Sequence, residues 1–169
     1  MKKYLLILAS ILGFAAASAH AGEVPFPADW KNWKKHEDTR LSAKPQLPGC
    51  EMDVALFPPI YQKVIETYCN LKGGSSPGKV EILVDPAVEA SYLARDGKMP
   101  DGSHLALHFR DIKLLLVTGW NGGKPGYATY TDDGKEVTNP ATLQPETCRS
   151  CHTGFQSYCK NGQCGSVAK

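Results

Sequence analysis

The chain has 169 residues, a formal net charge of +2, 42% hydrophobic residues and six cysteines. That length suffices for one domain with a sizeable core. The near-neutral, unclustered charge excludes nucleic acid and anionic membranes as partners, since both call for dense basic surface.

In chain order, residues 1–21 read as a secretory leader. Lys2 and Lys3 form its positive start, 5–17 its apolar run, and Ala19-His20-Ala21 a small-x-small cleavage site. The run is short for a membrane span, and no later segment is apolar enough to cross a bilayer. The expected mature protein is therefore a single domain, 22–169, periplasmic and with no membrane partner after cleavage. Loss of Lys2 and Lys3 leaves 17 basic against 17 acidic residues.

Residues 24–46 are rich in Pro, Trp and Lys, and Asp29-Trp30-Lys31-Asn32-Trp33 predicts a short helical entry with packed indoles. After Pro58-Pro59, the spacing of Ile60, Val64 and Ile65 predicts a helix over 60–69. Gly, Ser and Pro make 73–78 a loop. A strand follows over 79–84. Asp85-Pro86 then offers an N-cap with proline at the first helical position, opening a helix through Val88, Tyr92 and Leu93 that stops at Gly97.

Pro100-Asp101-Gly102 is a turn signal. In the strand 104–110 the residues alternate: Leu105, Leu107 and Phe109 on one face, His104, Ala106, His108 and Arg110 on the other. A second strand is expected over 112–118. Asn121-Gly122-Gly123 interrupts the pattern, 127–131 resumes it, and Asp133-Gly134 is a hairpin-type turn. A loop, a helix around 148–152 and a cysteine-containing tail complete a strand-helix-strand-strand-strand order with helical ends.

The run Cys148-Arg149-Ser150-Cys151-His152 carries the most chemistry. It reads C-x-x-C-H, the attachment site of a c-type haem. Thiols at i and i+3 share one helix face and meet two vinyl groups on one porphyrin edge, while the adjacent His152 ligates iron. The competing readings are a Cys148–Cys151 redox disulfide, or zinc held with His152, Cys159 and Cys164. An exported chain favours haem, because bacterial attachment takes place outside the cytoplasm.

Cys50, Cys69, Cys159 and Cys164 allow three pairings. The simplest joins Cys50 to Cys69 and Cys159 to Cys164, as an oxidising compartment permits. The alternative makes Cys50 or Cys69 a thiolate ligand on the distal side of the iron. His20 leaves with the leader. His36, His104 and His108 are surface histidines by default, but a one-residue slip in register would turn His108 toward a haem. Met99 is the better of two mature methionines for a His/Met electron carrier.

Several features in order resemble the cytochrome P460 and cytochrome c′-beta family. They are the early tryptophans, Lys79-Val80-Glu81-Ile82-Leu83-Val84-Asp85-Pro86, Gly97-Lys98-Met99-Pro100-Asp101-Gly102-Ser103, the aromatic strand 127–134 and the single haem motif near the C-terminus. The resemblance covers most of 79–152. It implies an α+β fold: an antiparallel β-sheet flanked by helices, with a single covalently bound haem c packed against the sheet, in a chain that pairs as a homodimer in many members. In cytochromes P460 a lysine shortly after the P-D-G-type turn cross-links to the porphyrin and accompanies hydroxylamine oxidation. Leu107 stands at that position, and Lys113 lies six residues further on, in another strand. This departure argues against the cross-link and against oxidation of a small nitrogen compound.

Leu107 with Leu105 and Phe109 is instead similar to the apolar distal pockets of the c′-beta branch. An apolar pocket over five-coordinate iron excludes water and admits NO or CO. Packing of the same three residues in an ordinary core is the bland reading. Two functions follow: a haem protein binding a small diatomic ligand, or a six-coordinate electron carrier serving a redox partner protein, with His108, Met99 or a cysteine opposite His152.

Overall fold

The computed structural model describes residues 23–36, 49–73 and 78–164. The expected leader and residues 37–46 of the Pro/Trp/Lys-rich segment lie outside them, as do residues 74–77 of the expected loop. The architecture is α+β. Five strands, β1 (Lys34–His36), β2 (Val80–Val84), β3 (His104–Phe109), β4 (Leu114–Asn121) and β5 (Lys124–Thr131), form an antiparallel sheet in chain order. Helix α1 (Pro59–Lys72) lies between β1 and β2, α2 (Glu89–Ala94) between β2 and β3, and α3 (Pro145–Gly154) follows β5. A two-stranded hairpin, β6 (Cys159–Lys160) and β7 (Gln163–Cys164), ends the described chain. No helix among the described residues is long and apolar enough to cross a membrane.

Period-two alternation gives the sheet two buried faces. Leu83, Ala106, Val117 and Ala128 sit opposite one another across four strands. They pack with Leu115 and Tyr130 beneath Val24, Trp30 and Trp33 of the N-terminal segment. The other face turns Ile82, Leu105, Leu107, Phe109 and Leu116 toward the helices, where α1 contributes Ile60, Tyr61, Ile65 and Tyr68.

The predicted elements are present with shifted bounds. Asp85 caps as expected, its carboxylate accepting from the Ala87 amide at 2.9 Å. The helix after it begins as a 3-10 turn and ends at Ala94, short of Gly97, because Arg95 adopts a left-handed φ of 53°. Lys113 is not in a strand: it lies in the β3–β4 turn with φ 55°, and β4 starts one residue later. Asn121-Gly122-Gly123-Lys124 does more than interrupt a strand. Gly122 and Gly123 both hold positive φ, 58° and 71°, and close the β4–β5 hairpin.

Two bonds settle the cysteine pairing. Cys50 joins Cys69, tying the segment before α1 to the helix, and Cys159 joins Cys164 across the terminal hairpin. Cys50 and Cys69 are thus spent on each other and supply no thiolate to a metal. Cys148 and Cys151 carry free thiols and form no disulfide.

Candidate haem-attachment site

Helix α3 starts at Pro145, whose fixed φ suits the first helical position. Its packing against β5 directs one face inward. Cys148, Cys151 and His152 on that face open onto a cavity of about 210 Å³ between the sheet, α1 and α3. Leu105, Leu107 and Phe109 line it from β3, with Ile82 and Leu116 beside them. Ile60 and Val64 line it from α1, and Gly162 and Cys164 from the terminal hairpin. The three strand residues and the three motif residues therefore face a common space, which is mostly apolar.

His152 is held in one tautomer. Its Nδ1 lies 2.9 Å from the Gly162 carbonyl, which only accepts, so Nδ1 carries the proton. Burial pushes the imidazole pKa below its ordinary value, against the opposing pull of the Gly162 bond, and keeps the ring neutral. Nε2 is left with the lone pair, the state in which a histidine ligates a metal while its other nitrogen donates to an outer carbonyl. The Tyr127 ring packs 4.8 Å from the imidazole.

Burial, reinforced by the nearby Cys151, raises the Cys148 thiol to about 11, and burial raises that of Cys151 as well. Neither is a ready thiolate, which argues against a nucleophilic or redox-active pair. The donor set of two neutral thiols one helical turn apart, an imidazole with a free Nε2 and an apolar wall fits a porphyrin. It fits zinc poorly. His152, Cys159 and Cys164 do bring ligand atoms within 4.8 Å of one another, but both sulfurs belong to a disulfide.

The other suggested ligands are placed elsewhere. His108 is not on the cavity face and is not a surface histidine. It is buried on the tryptophan side, with Nε2 2.9 Å from Asp132, Nδ1 3.3 Å from Glu81 and the Trp30 ring at 4.8 Å. His104 shares that face, stacked on Trp33. His36, at the sheet edge, is half-buried beside Tyr92 and Glu89 rather than a free surface group. Met99 is buried with Val84, Val88, Tyr92 and Trp120, outside the cavity lining.

Two participants escape the sequence reading. Lys63 of α1 lines the cavity, its ammonium 2.6 Å from Glu66, and nothing in the helical spacing marks it as facing a site. The Gly162 carbonyl belongs to a two-residue turn that the dipeptide Asn161-Gly162 does announce. No family model matches the chain, no curated protein matches it, and no solved structure matches its fold.

Proposed function

We propose that the chain is an exported c-type haem protein of the cytochrome P460 and cytochrome c′-beta type that binds a small diatomic gas. Cys148 and Cys151 would hold the porphyrin as thioethers and His152 would ligate the iron through Nε2, in the cavity that β3 lines. The observation that carries this reading is the convergence of both free thiols and the carbonyl-tethered imidazole on one cavity with Leu105, Leu107 and Phe109. A bound haem would supply an iron centre able to take NO or CO. Leu105, Leu107 and Phe109 disfavour water and offer no competing donor, and the Lys63 ammonium in the lining is engaged by Glu66. Two disulfides suit an oxidising compartment such as the periplasm.

Gas binding is favoured over six-coordinate electron transfer because His108, Met99, Cys50 and Cys69 are committed away from the cavity or to a disulfide. The test is mass spectrometry of denatured, solvent-extracted protein followed by optical spectra of the ferrous form. The expected result is the added mass of one macrocycle and a high-spin spectrum that shifts promptly with CO or NO. A chain without that mass, or one carrying zinc, refutes haem binding. A low-spin spectrum indifferent to CO refutes gas binding alone, and a strongly red-shifted band points instead to a porphyrin cross-link.

A further inference from the structure

The turn that carries Gly162 is fastened on every side. Asn161 and Gly162 hold φ of 46° and 81°, the pattern of a two-residue hairpin. Cys159 pairs with Cys164 and Lys160 with Gln163, and the Cys159–Cys164 bond closes the open end. Four hydrogen bonds dock the hairpin to its surroundings. Trp120 Nε1 donates to the Asn161 carbonyl at 2.9 Å, and Asn161 Nδ2 to the Gly97 carbonyl at 3.0 Å. Gln163 Nε2 donates to the Tyr92 carbonyl at 2.7 Å, and Arg95 Nη1 to the Cys164 carbonyl at 3.1 Å. Gly162 is also wedged: a Cβ there would meet Pro125 at 2.6 Å. All of this rigidity converges on one polar contact, the Gly162 carbonyl 2.9 Å from His152 Nδ1, with Cys164 Sγ at 3.1 Å from the same nitrogen.

We propose that the disulfide-clasped hairpin 159–164 is a positioning bracket for His152, fixing the tautomer and ring plane of the imidazole through the Gly162 carbonyl. A carbonyl accepting from Nδ1–H raises the electron density at Nε2 and makes it a stronger donor to a metal. Opening the clasp lets β6 and β7 part, and the carbonyl drifts from the ring. The consequence at iron rests on the function proposed above, whereas the bracket rests on protein contacts alone.

The experiment compares the full-length protein as purified with Cys159→Ser/Cys164→Ser, with Arg95→Met, and with Cys50→Ser/Cys69→Ser as the control. NMR follows solvent exchange of the His152 Nδ1 proton. The expected result is exchange at least about tenfold faster in Cys159→Ser/Cys164→Ser, about threefold faster in Arg95→Met, and within about twofold of wild type in the control. In haem-loaded protein the clasp variant also shows a lower iron–histidine stretching frequency and a higher reduction potential, since a poorer donor stabilises ferric iron less. Exchange unchanged in Cys159→Ser/Cys164→Ser overturns the bracket, as does an equal acceleration in the control. Should that double variant fail to fold, unchanged exchange in Arg95→Met overturns it. Absence of macrocycle mass overturns the haem reading instead, and the proton exchange still judges the bracket.

Discussion

Leu107 occupies the middle of β3 on the cavity face, directly across from Ile82 on one side and Leu116 on the other. A charged side chain there enters a wall of hydrocarbon and needs either a partner or a route to water. Leu107→Lys is accordingly expected to cost about 2–3 kcal/mol of stability and, under the proposed function, to alter the absorption spectrum of the haem-loaded protein. Chemical denaturation and an optical scan check the two effects separately. An unchanged spectrum in folded, haem-loaded variant protein means that Leu107 does not face the ring. The residue scale is also where the sequence is most and least legible. Cys148, Cys151 and His152 stand out because covalent haem attachment requires the spacing that they have. The Gly162 carbonyl does not, because every residue has a carbonyl and only the Asn161-Gly162 turn hints that this one is aimed.

Helix α1 roofs the cavity, and its position depends on a cluster at its C-terminal end. The Tyr68 hydroxyl donates to Asp111 in the β3–β4 turn, Lys72 pairs with the same carboxylate at 3.0 Å, and the Lys79 amide donates to it at 3.3 Å. Partial burial pushes the Asp111 carboxyl up, but these three donors together outweigh it and hold the pKa at about 2, below the ordinary 3.8. A carboxyl depressed in the folded state stabilises the fold above its ordinary pKa and loses that contribution as pH falls through the folded value. The window therefore runs from about pH 4 down to about pH 2. After allowance for solvent screening at this exposed turn, the contribution is about 1 kcal/mol. Urea denaturation of Asp111→Asn should show a deficit of that size at neutral pH that shrinks toward pH 2, and a deficit independent of pH would assign the effect to packing. At the same scale the two disulfides differ in purpose. Closing 19 residues of separation constrains the unfolded chain by about 3 kcal/mol, and closing five by about 2 kcal/mol. The longer one anchors α1 and the shorter one is better suited to local geometry.

Across the whole molecule the sheet is a partition, with the helices and cavity on one face and the tryptophan segment on the other. The alternation in 104–110 and the Gly-containing turns made the sheet readable. The packed indoles of Trp30 and Trp33 are legible but the face they cover is not, because His104, His108 and Glu81 look like a solvent face until the tryptophans are laid over it. Strand β1 is silent in the sequence for a related reason: Lys34-Lys35-His36 has no apolar pattern and joins the sheet at its edge by pairing with β2, its lysines reaching Glu89 and Glu81. A partition of this kind separates stability from ligand chemistry. Trp33 is 4% exposed and packs in the layer remote from α3, so Trp33→Ala removes a large buried side chain that does not itself line the cavity. The expected cost is about 3–5 kcal/mol, seen as a lower denaturation midpoint. Under the proposed function, the folded fraction should keep the haem spectrum and the CO response expected of the unaltered protein, in contrast to Leu107→Lys. A spectral change as large as that of Leu107→Lys would mean that the sheet transmits strain between its faces rather than insulating them.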